Sequence, residues 1–290
     1  MKDPLGFAIR YFERTSHTKV SSIREIEGGT GNNLFLVNWD YVVRVKRKND
    51  VDGEFNTPNT EVAAISFAQK IPFSPITPIC HYDSVNGNKI ETAIKDVEPL
   101  VSDNEHVTLA NLKRVIDAIK VFHQAQPVYS FSAEHRFYSY KKKSGEALPA
   151  EYEKKVLRDA IRIIESEDLV LSHNDLWAGN ILLPSSEPSK AYLIDLEFAS
   201  GNADIFDLAS LLEENEIPEN LCLEVIRYYY GLNFDEEKVE RVKKMMLFLD
   251  ALWFYWAMAR YKETGKEAFR SIAKTKKERF LRSFRKSISD

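Results

Sequence analysis

Residues 169–198 constrain the fold of this chain more than any other segment, because they place five polar side chains at fixed spacing between short apolar runs. The five are His173, Asp175, Asn180, Asp195 and Glu197. The apolar runs at 169–171, 181–183 and 193–194 predict short buried strands that hold the polar residues at a cleft. The alternative is a surface turn with ordinary Asn and Asp caps, which the regular spacing disfavours.

This spacing predicts phosphoryl transfer to a hydroxyl group, a reaction that asks the protein mainly for positioning and charge compensation. We expect Asp175 to orient the acceptor hydroxyl and take its proton. Asn180 and Asp195 offer hard oxygen ligands to Mg²⁺, and Glu197 assists them. The candidate catalytic residues are therefore Asp175, Asn180 and Asp195, and the candidate metal ligands are Asn180, Asp195 and Glu197.

Three motifs resemble those of the choline/ethanolamine kinase family, which belongs to the aminoglycoside phosphotransferase-like group. They are His-Asn-Asp-Leu-x-x-x-Asn-Ile-Leu at 173–182, Leu-Ile-Asp-Leu-Glu-Phe-Ala at 193–199 and Phe-Asp-Leu-Ala-Ser at 206–210. Protein kinases carry Asp-Phe-Gly where this chain has Asp195-Leu196-Glu197, which argues against a protein kinase. The third motif contains Asp207, which matches a family aspartate thought to brace the catalytic loop.

The resemblance implies an α+β, protein-kinase-like fold of two lobes. The N-terminal nucleotide-binding lobe, with an antiparallel sheet and a helix, is expected over residues 1–97. The mainly helical C-terminal lobe, expected over residues 98–290, would hold the catalytic residues and the acceptor. Strand-like segments at 23–26, 34–38 and 41–47 agree with this organisation.

A glycine-rich segment at 28–33 lies between the first two of these strands. Glycines there would let backbone N–H groups approach nucleotide phosphates, because no side chain projects toward the ligand. A plain hairpin turn is the alternative, since the segment lacks the full Gly-x-Gly-x-x-Gly pattern. Its position upstream of residues 169–198, the candidate catalytic segment, favours phosphate binding. The candidate nucleotide contacts are Gly29, Thr30, Gly31 and, by resemblance to choline kinases, Asn32.

Arg44 and Glu61 complete the predicted nucleotide site. Arg44 falls where protein kinases carry a phosphate-contacting lysine, and choline kinases accept Arg or Lys there. Its guanidinium can hold phosphate oxygens in a bidentate fork. Glu61 begins a predicted helix over 61–70 and corresponds to the glutamate that orients this cation in kinases. The sequence leaves the register of residues 50–59 open.

Aromatic and acidic residues in the C-terminal half predict how the acceptor is bound. Trp253 and Trp256 share one helical face, and aromatic faces bind quaternary ammonium groups well. A stripe of core residues is the alternative, but the family has a Trp-x-x-Trp on its choline-contacting helix. By the same resemblance Glu214 faces the ammonium group of the acceptor, and Phe198 forms a further wall. A solvated acidic helix face is the alternative for Glu214.

The predicted activity is phosphorylation of choline by ATP with Mg²⁺. One position departs from the family pattern, because Ile272 stands where choline kinases commonly have a tyrosine. Ethanolamine, thiamine and aminoglycosides therefore stay open as acceptors. A catalytically silent nucleotide-binding protein is the alternative from a different class.

Composition argues against other functions. A net charge of −4 gives no reason to expect a nucleic acid partner. Cys80 and Cys222 are too few and too far apart for a disulfide framework or a zinc site. The most apolar window, residues 245–259, contains Asp250 and is too short to span a bilayer, and residues 1–22 lack a signal peptide's apolar region. We expect a cytoplasmic protein without membrane insertion.

Overall fold

The structure is a computed structural model that describes residues 3–26, 32–47, 51–100, 107–127 and 129–289. Its helices are α1 (Pro4–Ser16), α2 (Pro58–Ala68), α3 (Leu109–Phe122), α4 (Ala133–Ser144), α5 (Ala150–Glu165), α6 (Asp204–Glu214), α7 (Glu219–Tyr230), α8 (Glu236–Thr264) and α9 (Glu267–Ser289). Its strands are β1 (Ile23–Ile26), β2 (Asn32–Val37), β3 (Tyr41–Lys46), β4 (Ile79–Tyr82), β5 (Lys89–Thr92), β6 (Val97–Glu98), β7 (Leu169–Ser172), β8 (Ile181–Pro184), β9 (Tyr192–Leu193) and β10 (Ser200–Ala203).

The N-terminal lobe is built on an antiparallel sheet with the strand order β1-β2-β3-β5-β4. Because side chains alternate along a strand, Val43 and Val45 of β3 face α1, where Phe12 is buried with them. Arg44 lies on the opposite face and reaches α2. One face of the sheet is therefore an apolar core, and the other carries the charged groups of the site.

Helix α2 begins at a capping box that its sequence specifies. The Thr57 hydroxyl accepts a hydrogen bond from the Thr60 backbone N–H, and the Thr60 hydroxyl lies 3.1 Å from the Thr57 backbone N. Pro58 occupies the first helical turn, where its fixed φ suits the helix and its missing N–H costs nothing. This start places Glu61 in the first turn, pointing at the sheet.

The C-terminal lobe is mainly helical and packs around α8, which contacts α4, α5, α6 and α9. Phe248 of α8 lies fully buried between Phe137 of α4 and Phe206 of α6, with ring centroids 5.9 and 6.5 Å away. Burial of these large apolar surfaces fixes α6 and α8, the helices that carry residues predicted to contact the acceptor.

Four short strands position the catalytic segment at the edge of the helical lobe. β7 pairs with β10, and β8 pairs with β9, all antiparallel. The predicted apolar strands are thus present, and each of their ends lies within one residue of the prediction. The polar residues between them lie where the strands end, as the spacing predicts.

The predicted fold class is confirmed: an antiparallel sheet with helices precedes a mainly helical lobe. β6 joins the two parts, because it pairs with β8 of the catalytic segment. The division between residues 97 and 98 stays a prediction, since β6 contains both. Within the described part of the chain, no helix combines the length and apolarity needed to cross a membrane.

A buried ion pair links β3 to α2. Arg44 Nη2 donates to Glu61 Oε2 at 2.6 Å, and neither side chain is more than 2% exposed. Burial disfavours the ionised carboxylate, but the adjacent guanidinium overcomes this and lowers the pKa of Glu61 to about 2. Glu61 therefore stabilises the fold in its charged form.

We expect Glu61→Gln to lower the free energy of unfolding by about 3 kcal/mol at pH 7, because it leaves the buried Arg44 with one charged partner fewer. The folded-state pKa lies below the unfolded one, so this contribution is complete above about pH 4.5 and is lost as the pH falls toward 2. Urea unfolding of wild type and variant between pH 3 and 7 measures the difference.

The exposed carboxylate of Glu25 in the same sheet provides the control. Glu25→Gln should change the unfolding free energy by less than about 0.5 kcal/mol at every pH. If the difference in unfolding free energy between wild type and Glu61→Gln stayed constant down to pH 3, the charge state assigned to Glu61 would be contradicted.

Candidate active site

The turn after β7 brings Asp175 and Asn180 together. Asn180 ends a short 3₁₀ turn, Ala178–Asn180, and its Nδ2 donates to both Asp175 O and Asp175 Oδ2 at 2.8 Å. The amide nitrogen is thereby occupied, which leaves the Asn180 side-chain oxygen as the atom available for a cation.

Asp207, in the first turn of α6, holds this catalytic turn in place. Its two carboxylate oxygens accept the backbone N–H groups of His173 and Asn174, both at 2.7 Å. His123 Nε2 also lies 2.9 Å from Asp207 Oδ2. Hydrogen bonds from N–H groups to a buried carboxylate are strong, so they fix the backbone directly before Asp175.

His173 and Asn174, which directly precede Asp175, connect this turn to the segment that contains Asp195 and Glu197. His173 Nε2 lies 2.8 Å from Ile194 O, and burial lowers the pKa of His173, which keeps the imidazole neutral. Asn174 has a left-handed backbone, with φ of 66°, and its Nδ2 donates to Phe198 O at 3.0 Å. The two halves of the site therefore form one rigid unit.

Asp195 and Glu197 project from the second half. Asp195 also adopts a left-handed backbone, with φ of 60°, and accepts a hydrogen bond from Arg44 Nη1 at 3.0 Å. Such a conformation is costly for a residue with a side chain and persists only where the surroundings enforce it. Burial and the neighbouring Asp195 carboxylate raise the pKa of Glu197 above its usual range.

These groups fit a divalent cation. The Asp195 and Glu197 carboxylates repel each other, and Asn180 is close in the fold because its backbone oxygen accepts a hydrogen bond from Ile194 N at 3.0 Å. Hard oxygen donors of this kind suit Mg²⁺. Among the described residues, no cluster of three or more His, Cys, Asp or Glu side chains forms a metal site by itself. Any cation here would need phosphate or water oxygens as further ligands.

Arg44 is present where the sequence predicts it, but its guanidinium is already engaged. Besides Glu61 and Asp195, it donates to Gly87 O at 2.8 Å, and the residue is 1% exposed. Gly87 supplies this carbonyl from a turn where its φ of 72° favours glycine. Phosphate contact by Arg44 stays a prediction.

Lys46 is a cation that the sequence reasoning passed over, although it shares a strand face with Arg44. Its Nζ lies 3.3 Å from Glu197 Oε2 and 4.0 Å from Glu61 Oε2. That ammonium group makes no hydrogen bond within the described ranges. A cavity of about 460 Å³ opens beside it, and its lining includes Arg47, Asn56 and Glu197. Lys46 therefore offers a positive charge to an anion in this cavity.

The three aromatic residues predicted to bind the acceptor contact one another in a row. The ring centroids of Phe198 and Trp253 are 5.8 Å apart, and those of Trp253 and Trp256 are also 5.8 Å apart, both edge to face. Phe269 of α9 contacts Trp256 at 5.6 Å. Ile272, at the position where relatives commonly have tyrosine, packs against the hydrophobic core.

Glu214 ends α6 and contributes negative charge to the same region. Its Oε2 accepts from Lys276 Nζ at 2.8 Å, whereas the buried Oε1 has no hydrogen-bond partner in the described part of the chain. Burial first, and then the charges of Glu214 and Asp195, raise the pKa of Asp175 to about 8. Negative charge in this region is therefore incompletely compensated.

Asp52 lies in the segment whose register the sequence left open, so sequence reasoning missed it. Its carboxylate is buried and accepts the Trp256 indole N–H, with 3.1 Å to each oxygen. The Tyr140 hydroxyl donates to it at 2.7 Å. The only signal in the sequence was an acidic residue shortly before α2, which no motif singles out.

The remaining predicted contacts belong to the glycine-rich segment. Gly29, Thr30 and Gly31 lie outside the described residues. Asn32 begins β2 with its side chain buried, and its Oδ1 has no hydrogen-bond partner within the described ranges. Its role toward a nucleotide stays a prediction.

The sequence of residues 89–252 matches the family model described as choline/ethanolamine kinase. This match covers more than half of the chain and includes the catalytic segment and most of α8. No curated protein sequence is similar enough to the chain to count as a relative.

Solved structures share the fold. A choline/ethanolamine kinase family protein from Mesorhizobium loti has a TM-score of 0.76 at 20% identity, over 91% of this chain and 88% of that one. The choline kinase LicA from Streptococcus pneumoniae, in complex with AMP, has a TM-score of 0.72 at 17% identity, over 96% and 98%. An ethanolamine kinase from Plasmodium vivax has a TM-score of 0.63 at 16% identity, over 90% and 81%.

The bracing by Asp207 generates a prediction. Asp207→Asn keeps one acceptor oxygen but turns an NH₂ group toward a backbone N–H, which leaves a buried donor unpaired at a cost of about 1–3 kcal/mol. We expect kcat for phosphoryl transfer to fall about tenfold to a hundredfold, while nucleotide affinity measured by calorimetry stays within about threefold.

Asp117 on α3 serves as the matched control, because its carboxylate meets Tyr228 at an exposed site. Asp117→Asn should leave kcat unchanged. Equal kcat values for Asp207→Asn and wild type would show that catalysis does not depend on this brace.

Proposed function

Because the chain belongs to the choline/ethanolamine kinase family, a family of small-molecule kinases, we propose that it transfers the γ-phosphoryl group of ATP to the hydroxyl of choline. One observation carries the choice of acceptor. The rings of Phe198, Trp253 and Trp256 contact one another in a row, and the acidic region around Glu214 has negative charge that is incompletely compensated. A quaternary ammonium group needs both features, since it donates no conventional hydrogen bond.

The hydroxyl of the acceptor would meet Asp175. The Asn180 amide and the Asp207 brace hold this carboxylate in one orientation, so the acceptor oxygen is presented in a fixed direction. A cationic head group near Glu214 would offset the negative charge that raises the pKa of Asp175. Binding of the substrate thus favours the ionised carboxylate that accepts the hydroxyl proton.

The nucleotide would lie between the sheet and the catalytic segment. AMP in the complex of LicA supports nucleotide use by this fold. Asp195, Glu197 and Asn180 would hold Mg²⁺, which when bound supplies positive charge to the transferring phosphates. Lys46 and Arg44 would add positive charge from β3.

Ethanolamine is the second candidate acceptor, and it is favoured by Glu214 Oε1, which has no hydrogen-bond partner among the residues that the structure describes. A primary ammonium group can donate a hydrogen bond to that oxygen, whereas choline cannot. The aromatic rings favour choline, because a ring face binds a cation that donates no hydrogen bond. A Plasmodium ethanolamine kinase and a bacterial choline kinase share the fold, so the fold itself does not distinguish the two acceptors.

We place the protein in the cytoplasm, where ATP is the phosphoryl donor. Both cysteines are free thiols in the structure, which suits a reducing compartment.

The proposal is tested by ADP release with ATP and Mg²⁺ in the presence of choline, ethanolamine, thiamine or an aminoglycoside. Choline should give the highest kcat/KM. Asp175→Asn should reduce choline-dependent turnover by about 10²–10⁴-fold, because the proton acceptor is lost, with nucleotide affinity retained. Asp168→Asn, an exposed site in the same segment, should behave as wild type. Preference for thiamine or an aminoglycoside, or no acceptor-dependent ADP release, would refute the proposal.

Two variants separate choline from ethanolamine. Trp256→Leu removes an aromatic face and should raise the KM for choline about tenfold, with the KM for ATP unchanged. Glu214→Gln removes a hydrogen-bonding carboxylate and should raise the KM for ethanolamine more than that for choline. Steady-state kinetics with both acceptors measure the contrast.

Trp39 on the exposed β2–β3 turn gives the matched control for the tryptophan change. Trp39→Leu should leave both acceptor KM values unchanged. If Trp256→Leu affects neither acceptor, then the rings are core residues rather than part of the acceptor site.

A further inference from the structure

We propose that Trp177, in the turn between Asp175 and Asn180, contacts the acceptor and sets a preference for a methylated ammonium group. The face of its indole would lie against the cationic head group. This inference rests on the proposed function and adds to it an aromatic residue outside the row of rings from Phe198 to Trp256.

Trp177 offers ring surface that the other predicted acceptor rings do not. It is 40% exposed, although it lies inside the catalytic turn. Phe198 and Trp253 are each 5% exposed and Trp256 is partly buried, so most of their surface packs against the protein. A cation that binds through an aromatic ring needs an open face. Of these four residues, Trp177 has the most surface for a ligand.

The position of the Trp177 ring depends on a glycine. A Cβ atom on Gly179 would overlap the six-membered part of the indole, so glycine leaves the space in which the ring rests on the turn. Asp175 folds back onto the same end of the turn, because its carboxylate accepts from Asn180 Nδ2 at 2.8 Å. The indole and the carboxylate thus lie against adjacent residues.

The backbone around Trp177 is held on α6 and within the turn. Leu176 N donates to Ser210 Oγ at 3.0 Å, and Leu176 O accepts from Asn215 Nδ2 at 2.8 Å. Trp177 O accepts from Asn180 N at 2.9 Å. A ring presented from a fixed backbone loses little further freedom when a ligand binds, so more of the contact energy appears as affinity.

The same hydrogen bonds bring Trp177 toward the acidic region of the predicted acceptor site. Asn215 directly follows Glu214, and Leu176 directly precedes Trp177, so one hydrogen bond connects the neighbours of the glutamate and the tryptophan. After burial, the negative charge of Glu214 contributes most to the raised pKa of Asp175. A cation held near Glu214, with its hydroxyl at Asp175, would therefore lie beside the indole.

The dimensions and charge of choline fit this position. Only two carbon atoms separate its hydroxyl from its nitrogen, so a hydroxyl at Asp175 keeps the head group close to the catalytic turn. The three methyl groups spread the positive charge over an apolar surface, which an aromatic face binds well. The ammonium group of ethanolamine instead needs hydrogen-bond acceptors, which an indole face does not supply. Trp177 should therefore favour choline over ethanolamine.

Trp177→Leu tests this assignment, because leucine keeps an apolar side chain and removes the aromatic face. We expect the KM for choline to rise about tenfold, the KM for ethanolamine to rise less than about threefold, and the KM for ATP to stay within about twofold. Trp177→Phe keeps an aromatic face and should retain most of the preference for choline. Steady-state ADP release with both acceptors measures these constants.

Gly179→Ala moves the ring without changing its chemistry. We expect it to lower the preference for choline in the wild-type chain and to have little further effect in Trp177→Leu, because both changes act through one contact. Trp39→Leu, at an exposed turn, is the control and should leave the ratio of the two acceptor constants unchanged.

Two kinetic results would overturn the proposal. If Trp177→Leu weakens choline and ethanolamine equally, the residue has only a structural role. If the KM for choline does not change, the indole does not contact the acceptor. Thermal unfolding of each variant verifies that the proteins compared are folded.

Acrylamide quenching of tryptophan fluorescence tests the contact without turnover. In Trp39→Phe, Trp177 is the most exposed tryptophan that is left. Choline should reduce the quenching constant of this variant about twofold, because a bound ligand covers the indole, and should not reduce it once Trp177→Phe is added. This result supports the contact even if no amino alcohol is phosphorylated, in which case only the proposed function fails.

Calorimetric titration with choline completes the comparison. Choline binding that leaves the quenching of Trp177 unchanged overturns the contact and leaves the proposed function standing. A wild-type chain that does not bind choline overturns both.

Discussion

One buried guanidinium connects the parts of this molecule that must meet at the site. Arg44 contacts Glu61 of α2, Gly87 in the β4–β5 turn and Asp195 of the catalytic segment. A buried cation must have all its partners in place, because each missing partner leaves charge uncompensated in a medium of low dielectric. The orientation of α2, the sheet and the catalytic segment is therefore coupled through a single side chain.

The fold class was predicted from motifs that resemble those of a kinase family, and the strands around the catalytic segment were predicted from local patterns. The apolar runs around His173 and Asp195 identify strands, and the spacing of their polar residues follows from the turns between them. Helix α2 starts three residues earlier than predicted, because the helix begins at Pro58 and the predicted helix began at Glu61. Helix α1 was not predicted, although its apolar face packs against the sheet.

The contacts between distant segments were beyond sequence reasoning for a physical reason. Asp52 and Trp256 are separated by most of the chain, and neither residue type indicates in the sequence which residue it will contact. The same holds for Lys276, which neutralises one oxygen of Glu214 and thereby changes what the other oxygen can bind. A motif states which residues a reaction needs, but the balance of charge around them arises only when the helices pack.

The anchoring of the segment before α2 has a kinetic consequence. Lys143 and Arg136 of α4 hold Val51 and Asn56, so Asp52 reaches Trp256 only while the segment before α2 stays packed on the helical lobe. In the proposed kinase, a separation of the lobes that admits nucleotide would withdraw Asp52 from Trp256 and open the proposed acceptor site. Such coupling would favour an order of binding in which the nucleotide enters first and leaves last.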